Sequence, residues 1–327
     1  MFKFRCIRYT FVLFVLIVCA LIVSYIICLN RKSTIFGGHR KSILDSNVFG
    51  RSVYVERIDH LNKICHRYRR QSNNDLTRNK EVLDHILVDS KHQLLYCYVP
   101  KVACTNWKRV LMILSGVINT TDVLSIPADM AHSRRVLASL ANFTEPTIAK
   151  LLTTYTKFLF VRHPFERLVS AFRNKLEPNL MRSKYFQSRL GKYIVKRYRR
   201  KYNSTRSSAG DDVTFEEFIS YLTQTRGAGL NEHWQAIHSL CSPCTISYDF
   251  VGKYETLTAD SDFLLRAIGA SQVVFPAAPK MHTTSTHLSM YFRRLAPAII
   301  KELYQIYEMD FRLFSYDLSG MFGYEVS

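Results

Sequence analysis

"HQLLYCYVPKVACTNWKRVLMILSG", residues 92–116, changes its periodicity partway along. Residues 92–99 form a nearly unbroken apolar run, the pattern of a strand buried on both faces. Residues 106–116 carry apolar side chains at helical spacing, and Gly116 ends them. Between strand and helix lie Pro100, Lys101, Val102, Ala103, Cys104, Thr105 and Asn106. Backbone N–H groups and the dipole at a helix N-terminus favour an anion in such a loop. Lys101 adds a mobile positive charge and Thr105 a hydroxyl donor. A nucleoside-triphosphate loop would read G-x-x-x-x-G-K-[ST], and no glycine is present here. The loop therefore reads either as a tighter cradle for a smaller anionic group or as a plain helix cap with a surface lysine.

The same arrangement recurs downstream. "TKFLFV" (156–161) is a second buried strand, and "PFERLVSAFRNKL" (164–176) a second helix, with Pro164 in its tolerant first turn. Phe165, Leu168, Val169, Phe172 and Leu176 make one apolar face; Glu166, Ser170 and Asn174 lie opposite. Arg162 closes the strand, so Arg162 and Ser170 are placed to converge on a second anion. Further helices are expected at 214–224 and 297–308, and a third strand in "ISYDFVGKYETL" (246–257). Strands alternating with helices predict an α/β fold with a mainly parallel sheet, and ligands in such sheets sit at the carboxyl ends of the strands.

The chain has 327 residues and a formal charge of +19, a balance that attracts polyanions of any kind. Residues 9–29 lack charged side chains and suffice to span a bilayer. They read as an uncleaved signal anchor behind a cytoplasmic tail of residues 1–8. Residues 30–80, polar and basic, read as a luminal stem, and residues 81–327 as the luminal globular domain. Sequons at Asn119, Asn142 and Asn203 fit that topology. Of eight cysteines, Cys65, Cys97, Cys104, Cys241 and Cys244 lie in the body, and in an oxidising lumen some should pair. The sequence leaves their connectivity open.

Five stretches together resemble the Golgi carbohydrate sulfotransferases of the chondroitin 4-O-sulfotransferase group. They are "VPKVACTNWKRVLMILSG", "KFLFVRHPFERLVSAFRNKL", "NEHWQAIHSLCSPC", "YDFVGKYETL" and "LYQIYEMDFRLFSYDL", and they cover roughly residues 80 to 320. The resemblance implies a P-loop-like sulfotransferase domain that uses 3′-phosphoadenosine 5′-phosphosulfate (PAPS). It assigns the 5′-phosphosulfate to Pro100, Lys101, Val102, Ala103, Cys104, Thr105 and Asn106. It assigns the 3′-phosphate to Arg162, His163, Pro164, Phe165, Glu166, Arg167, Leu168, Val169 and Ser170, with Arg162 and Ser170 as the phosphate contacts. His163 departs from the family, whose members usually carry an acidic residue there. No metal is implied, and Cys241-x-x-Cys244 is half a zinc site that reads better as a luminal disulfide or paired thiols.

Lys101 is then expected to stabilise charge on the departing oxygen, and a general base to take the acceptor proton. His132, in "DMAHSRR" between the two motifs, is the preferred base; His233 and Glu232 in "NEHW" are the alternatives. The expected acceptor is a chondroitin-type glycosaminoglycan at the Golgi membrane, with no nucleic-acid partner. Dermatan, terminal N-acetylgalactosamine on N-glycans, or a non-catalytic role in binding acidic glycans are the competing readings. The basic, tyrosine-interleaved residues 191–206 are a candidate surface for the polysaccharide.

Overall fold

The computed structural model describes residues 51–68, 76–178, 184–199, 209–226, 229–277 and 284–319. The expected tail and membrane anchor, and the sequon at Asn203, lie outside the described residues. Among the described residues no helix is long and apolar enough to cross a membrane.

Four strands form one sheet in the order β1–β2–β3–β4: β1 (Ile86–Asp89), β2 (Leu94–Cys97), β3 (Thr156–Val161) and β4 (Phe250–Lys253). β2, β3 and β4 run parallel, with Cys97 opposite Leu159 and Val161 opposite Lys253. The three strands expected from sequence are therefore parallel neighbours whose carboxyl ends share one edge. β1 is an addition. It pairs antiparallel with β2, from Ile86↔Cys97 to Asp89↔Leu94, so the sheet is mixed. Its four apolar-dominated residues are too short to announce themselves, and a tight turn joins them to β2. There Asp89 accepts from the Lys91 N–H at 3.0 Å and pairs with His92 at 2.9 Å.

The longer helices are α1 (Arg51–Tyr68), α2 (Cys104–Leu114), α3 (Glu145–Thr154), α4 (Pro164–Lys175), α5 (Lys192–Tyr198), α6 (Phe215–Gln224), α7 (Leu257–Ala267), α8 (Thr284–Phe292) and α9 (Pro297–Leu313). The helices expected at 214–224 and 297–308 are α6 and α9. Trp107, fully buried, fixes α2 to the sheet, its ring 5.0 Å from Phe158 and 4.9 Å from Phe160. The same Phe160 ring fills the space above Gly252 in β4, where a Cβ would come within 2.2 Å of it. α4 begins a second apolar cluster, in which Phe165, Phe172, Phe218, Trp234, Phe292, Tyr307 and Phe311 are buried together.

α1 falls in the stretch expected to be stem, yet it packs on the body. Tyr54 stacks on Phe263 at 4.2 Å, and the Arg57 guanidinium meets the buried Asp260 carboxylate at 2.6 Å. A disulfide joins Cys65 of α1 to Cys244, and a second joins Cys97, at the end of β2, to Cys241. Cys241 and Cys244 are thus not paired with each other; each reaches a distant partner. Cys104 is free and buried.

Candidate functional site

The parallel register sets the C-terminal ends of β2, β3 and β4 side by side, and the two motif loops meet there. A cavity of about 510 Å³ opens at this edge, within the roughly 300–1,000 Å³ usual for small-molecule sites. Its walls include Pro100, Lys101, Ala103, Cys104, Thr105 and Asn106 from the first motif, and Arg162 and Ser170 from the second. His132, Glu232 and His233 also line it. The remaining second-motif residues, and Val102, do not line it and serve the fold around it.

The glycine-free loop holds its shape through two strained residues. Lys101 has φ 72° and Ala103 φ 54°, whereas Val102 between them is not left-handed. Such alternation turns successive N–H groups toward one concavity, a recognised anion nest. α2 starts at once, with the Ala103 carbonyl accepting from Asn106 and Trp107 at 3.1 and 3.2 Å. Left-handed non-glycine residues cost free energy and persist where the surroundings enforce them.

Arg162 links the two motifs. Its guanidinium donates to the Lys101 carbonyl at 3.3 Å, meets Glu166 at 3.3 Å, and lies 4.0 Å over the Tyr254 ring, just past β4. Ser170 and Asn174 stand one turn apart on the face of α4 that meets the cavity, followed by Lys175. His163 lies outside the cavity. Its Nδ1 accepts from the Phe165 N–H at 3.2 Å and caps α4, while Nε2 donates to the Asp317 carbonyl at 3.0 Å. A short acidic side chain at this position would accept the same N–H, so histidine preserves the cap. Burial lowers the His163 pKa, in keeping with a neutral ring.

Arg167 is almost wholly buried. It donates to the Pro100 carbonyl at 2.9 Å, the Glu232 carbonyl at 2.8 Å and the Gln235 carbonyl at 2.5 Å. It thereby clamps the first loop to the "NEHWQ" segment and does not face the cavity.

The cavity is strongly cationic. Lys101, Lys108, Arg162 and Lys175 line it, against one carboxylate among its described residues, Glu232. Burial lowers Lys101 to about 8, and neighbouring Lys175, Arg162 and Arg167 push the same way. Burial likewise lowers Lys108 and Lys175. Cations gathered at this cost are what an anionic ligand would repay. Lys108 and Lys175 escaped the sequence reading because each lies a few residues past the segments assigned to the donor, 100–106 and 162–170. The signal for Lys108 was its position one helical turn after Thr105; for Lys175, adjacency to Asn174.

Two histidines face the cavity. His132 Nε2 lies 3.0 Å from Thr105 Oγ1, at the head of α2. Burial, then Lys108 and Lys175, lowers its pKa. His233 Nδ1 donates to the Asn231 carboxamide oxygen at 2.6 Å, and burial with Lys175 and Lys101 lowers its pKa to about 3. Among the described residues, no group of three or more His, Cys, Asp or Glu side chains is placed to hold a metal ion. In the basic 191–206 stretch, the described residues 191–199 do not line the cavity. In its described portion Ile194 and Val195 are buried, and Arg199 is forked between Asp212 at 2.6 Å and Glu217 at 2.7 Å.

Comparison with known proteins matches residues 84–317 to the model of a sulfotransferase family. Carbohydrate sulfotransferase 11 of Rattus norvegicus is 44% identical over 258 residues, 76% of this chain and 73% of the relative. Carbohydrate sulfotransferase 14 of Homo sapiens is 43% identical over 247 residues, 75% and 63% of the two chains. Carbohydrate sulfotransferase 8 of Mus musculus is 39% identical over 296 residues, 88% and 69%. No solved structure matches.

Proposed function

The chain belongs to the sulfotransferase family, and from that premise we propose that it transfers sulfate from PAPS to O-4 of N-acetylgalactosamine in chondroitin. The observation that carries this reading is the single cavity in which Lys101 and Thr105 face Arg162 and Ser170. A donor with phosphate groups on the 3′ and 5′ oxygens of one ribose needs two anion sites and, beside them, a less polar wall for the base. Tyr254, Leu257 and Pro276 line the cavity beside Arg162 and suit a purine base. The relatives, all carbohydrate sulfotransferases by name, support a glycan acceptor.

Bound PAPS supplies a sulfuryl group already activated on a phosphate leaving group. The protein then has mainly to position and to stabilise charge, as in phosphoryl transfer. Lys101, held in its left-handed turn, presents its ammonium where negative charge builds on the departing oxygen. Arg162, fixed between the Lys101 carbonyl and the Tyr254 ring, holds the far phosphate and keeps the two sites in register. His132, neutral near pH 7 because its pKa is lowered, accepts the acceptor hydroxyl proton at Nε2. His233 is the poorer base, since its pKa falls to about 3.

A pH dependence follows. The protonated Lys101 is the form that attracts an anionic donor, and its pKa in the free protein is lowered to about 8. The donor KM is expected to rise as pH passes through about 8, about tenfold per unit at the limit of a single required proton. Lys101→Arg, whose charge persists, should flatten that limb. Steady-state donor KM between pH 6 and 9.5 provides the check.

The reading places the body in the Golgi lumen behind the anchor at residues 9–29. The two long-range disulfides support an oxidising compartment. Asn119 is exposed and lies clear of the cavities, whereas Asn142 lines the second one and accepts from the Ser139 N–H at 2.8 Å, so Asn119 is the described sequon suited to carry a glycan. The acceptor is tested with a panel of desulfated chondroitin, dermatan and N-glycans ending in N-acetylgalactosamine, followed by linkage analysis of the products. Predominant 4-O-sulfation of chondroitin supports the proposal. Preference for either other acceptor, or sulfation at another position, replaces it.

A further inference from the structure

A second cavity, of about 270 Å³, adjoins the first. Tyr98, Lys108 and His132 belong to the walls of both. The proposed base therefore stands at the junction of the two spaces, where an acceptor hydroxyl must meet the donor. The second cavity is thus open to a sugar that flanks the acceptor on this side.

Its chemistry is selective. Leu87, Ala131 and Leu137 provide an apolar floor, and three cations, Lys80, Lys108 and Arg134, face it. The opposing charge is Asp84, which accepts from Ser139 Oγ at 3.2 Å and meets Arg134 at 3.4 Å. The Arg134 side chain is 89% exposed in that pair. An exposed single contact of this length is worth little and is readily exchanged. A guanidinium is built for bidentate recognition of a carboxylate.

We propose that this cavity is the subsite for an acidic sugar adjoining the sulfated residue, with Arg134 and Lys80 as the side chains that read its carboxylate. The inference rests on the proposed function, since it assigns the neighbour of that reaction's acceptor. It makes the enzyme selective for N-acetylgalactosamine inside a uronate-containing chain over the same sugar in a neutral glycan. Neither residue touches the donor cavity.

The test uses the full chain with Arg134→Ala, Lys80→Ala and the double substitution, and two acceptors. One is desulfated chondroitin; the other is a neutral oligosaccharide ending in N-acetylgalactosamine. The double variant should raise the chondroitin KM about tenfold or more, the scale of a lost charge-assisted hydrogen bond. The KM for PAPS and turnover on the neutral acceptor should stay at the wild-type level. An unchanged chondroitin KM, or an equal loss on both acceptors, overturns the subsite. Should no glycan be sulfated at all, the proposed function fails, and titration of desulfated chondroitin still decides the subsite. Weaker binding by the double variant upholds it, and equal binding overturns it.

Discussion

Lys101→Ala is expected to cut kcat by about 10²–10³-fold, the loss seen when one preorganised group at a developing anion is removed. The lysine is the cation of the first motif, half-buried in the cavity wall, its backbone held at φ 72°. Burial and three neighbouring cations already depress its pKa, so the folded protein maintains this charge at a cost. Removing a cation from a cluster of like charges relieves repulsion, and the variant should melt at or above the wild-type temperature. Lost turnover with retained stability identifies Lys101 as working in the reaction. Lys101→Met, close in shape but uncharged, should behave like alanine. Single-turnover sulfate transfer and thermal melts of the three proteins measure both effects. Turnover within a few-fold of wild type would remove Lys101 from the proposed mechanism.

Arg167→Leu should do the opposite, acting first on stability. The guanidinium donates to three carbonyls, those of Pro100, Glu232 and Gln235. Substitution leaves these acceptors buried, at about 1–3 kcal/mol for an unsatisfied group. With three acceptors left at the lower part of that range, a loss of about 3–5 kcal/mol is expected. Against a typical total of about 5–15 kcal/mol, that brings the domain near its unfolding threshold. The urea midpoint should fall accordingly, and activity should vanish with the folded population. Arg162→Ala provides the contrast: its guanidinium faces the cavity, so donor KM should rise with less change in midpoint. A normal midpoint in Arg167→Leu would show that water or rearranged donors satisfy the three carbonyls.

The contrast between these arginines also marks what the sequence could reveal. Arg162 and Arg167 stand five residues apart in one motif, and the resemblance assigned both to the donor. Only the fold separates them: Arg162 ends a strand at the ligand edge, whereas Arg167 enters the helix on its buried side. β2, β3 and β4 were legible because parallel strands covered on both faces are continuous apolar runs. β1 was not, because four residues before a tight turn carry too little pattern. The packing of α1 was hidden by its polar composition; Tyr54, Leu61, Ile64 and Cys65 give it a thin buried stripe. The disulfides close separations of 144 and 179 residues, which no local spacing encodes. The conformation of the first loop was hidden too. A left-handed lysine and alanine leave no trace in sequence, where glycine would have announced them.

The second cavity had no sequence signature of its own. Lys80 and Arg134 are separated by more than fifty positions, and they face one space because β1 and the segment around Ser139 meet. Leu87 bridges to Ser139, and the Val88 N–H donates to the Ala138 carbonyl at 2.9 Å. The unforeseen edge strand thus positions the wall that the acceptor chain is proposed to follow.

The most direct measurement is sulfate transfer itself. The purified chain is incubated with PAPS labelled in its sulfuryl group and desulfated chondroitin, and the glycan is then digested to disaccharides. The account predicts label in N-acetylgalactosamine 4-O-sulfate, lost in Lys101→Ala. A chain that binds the glycan but passes no label to it, or to any other galactosamine-containing glycan, would contradict the account.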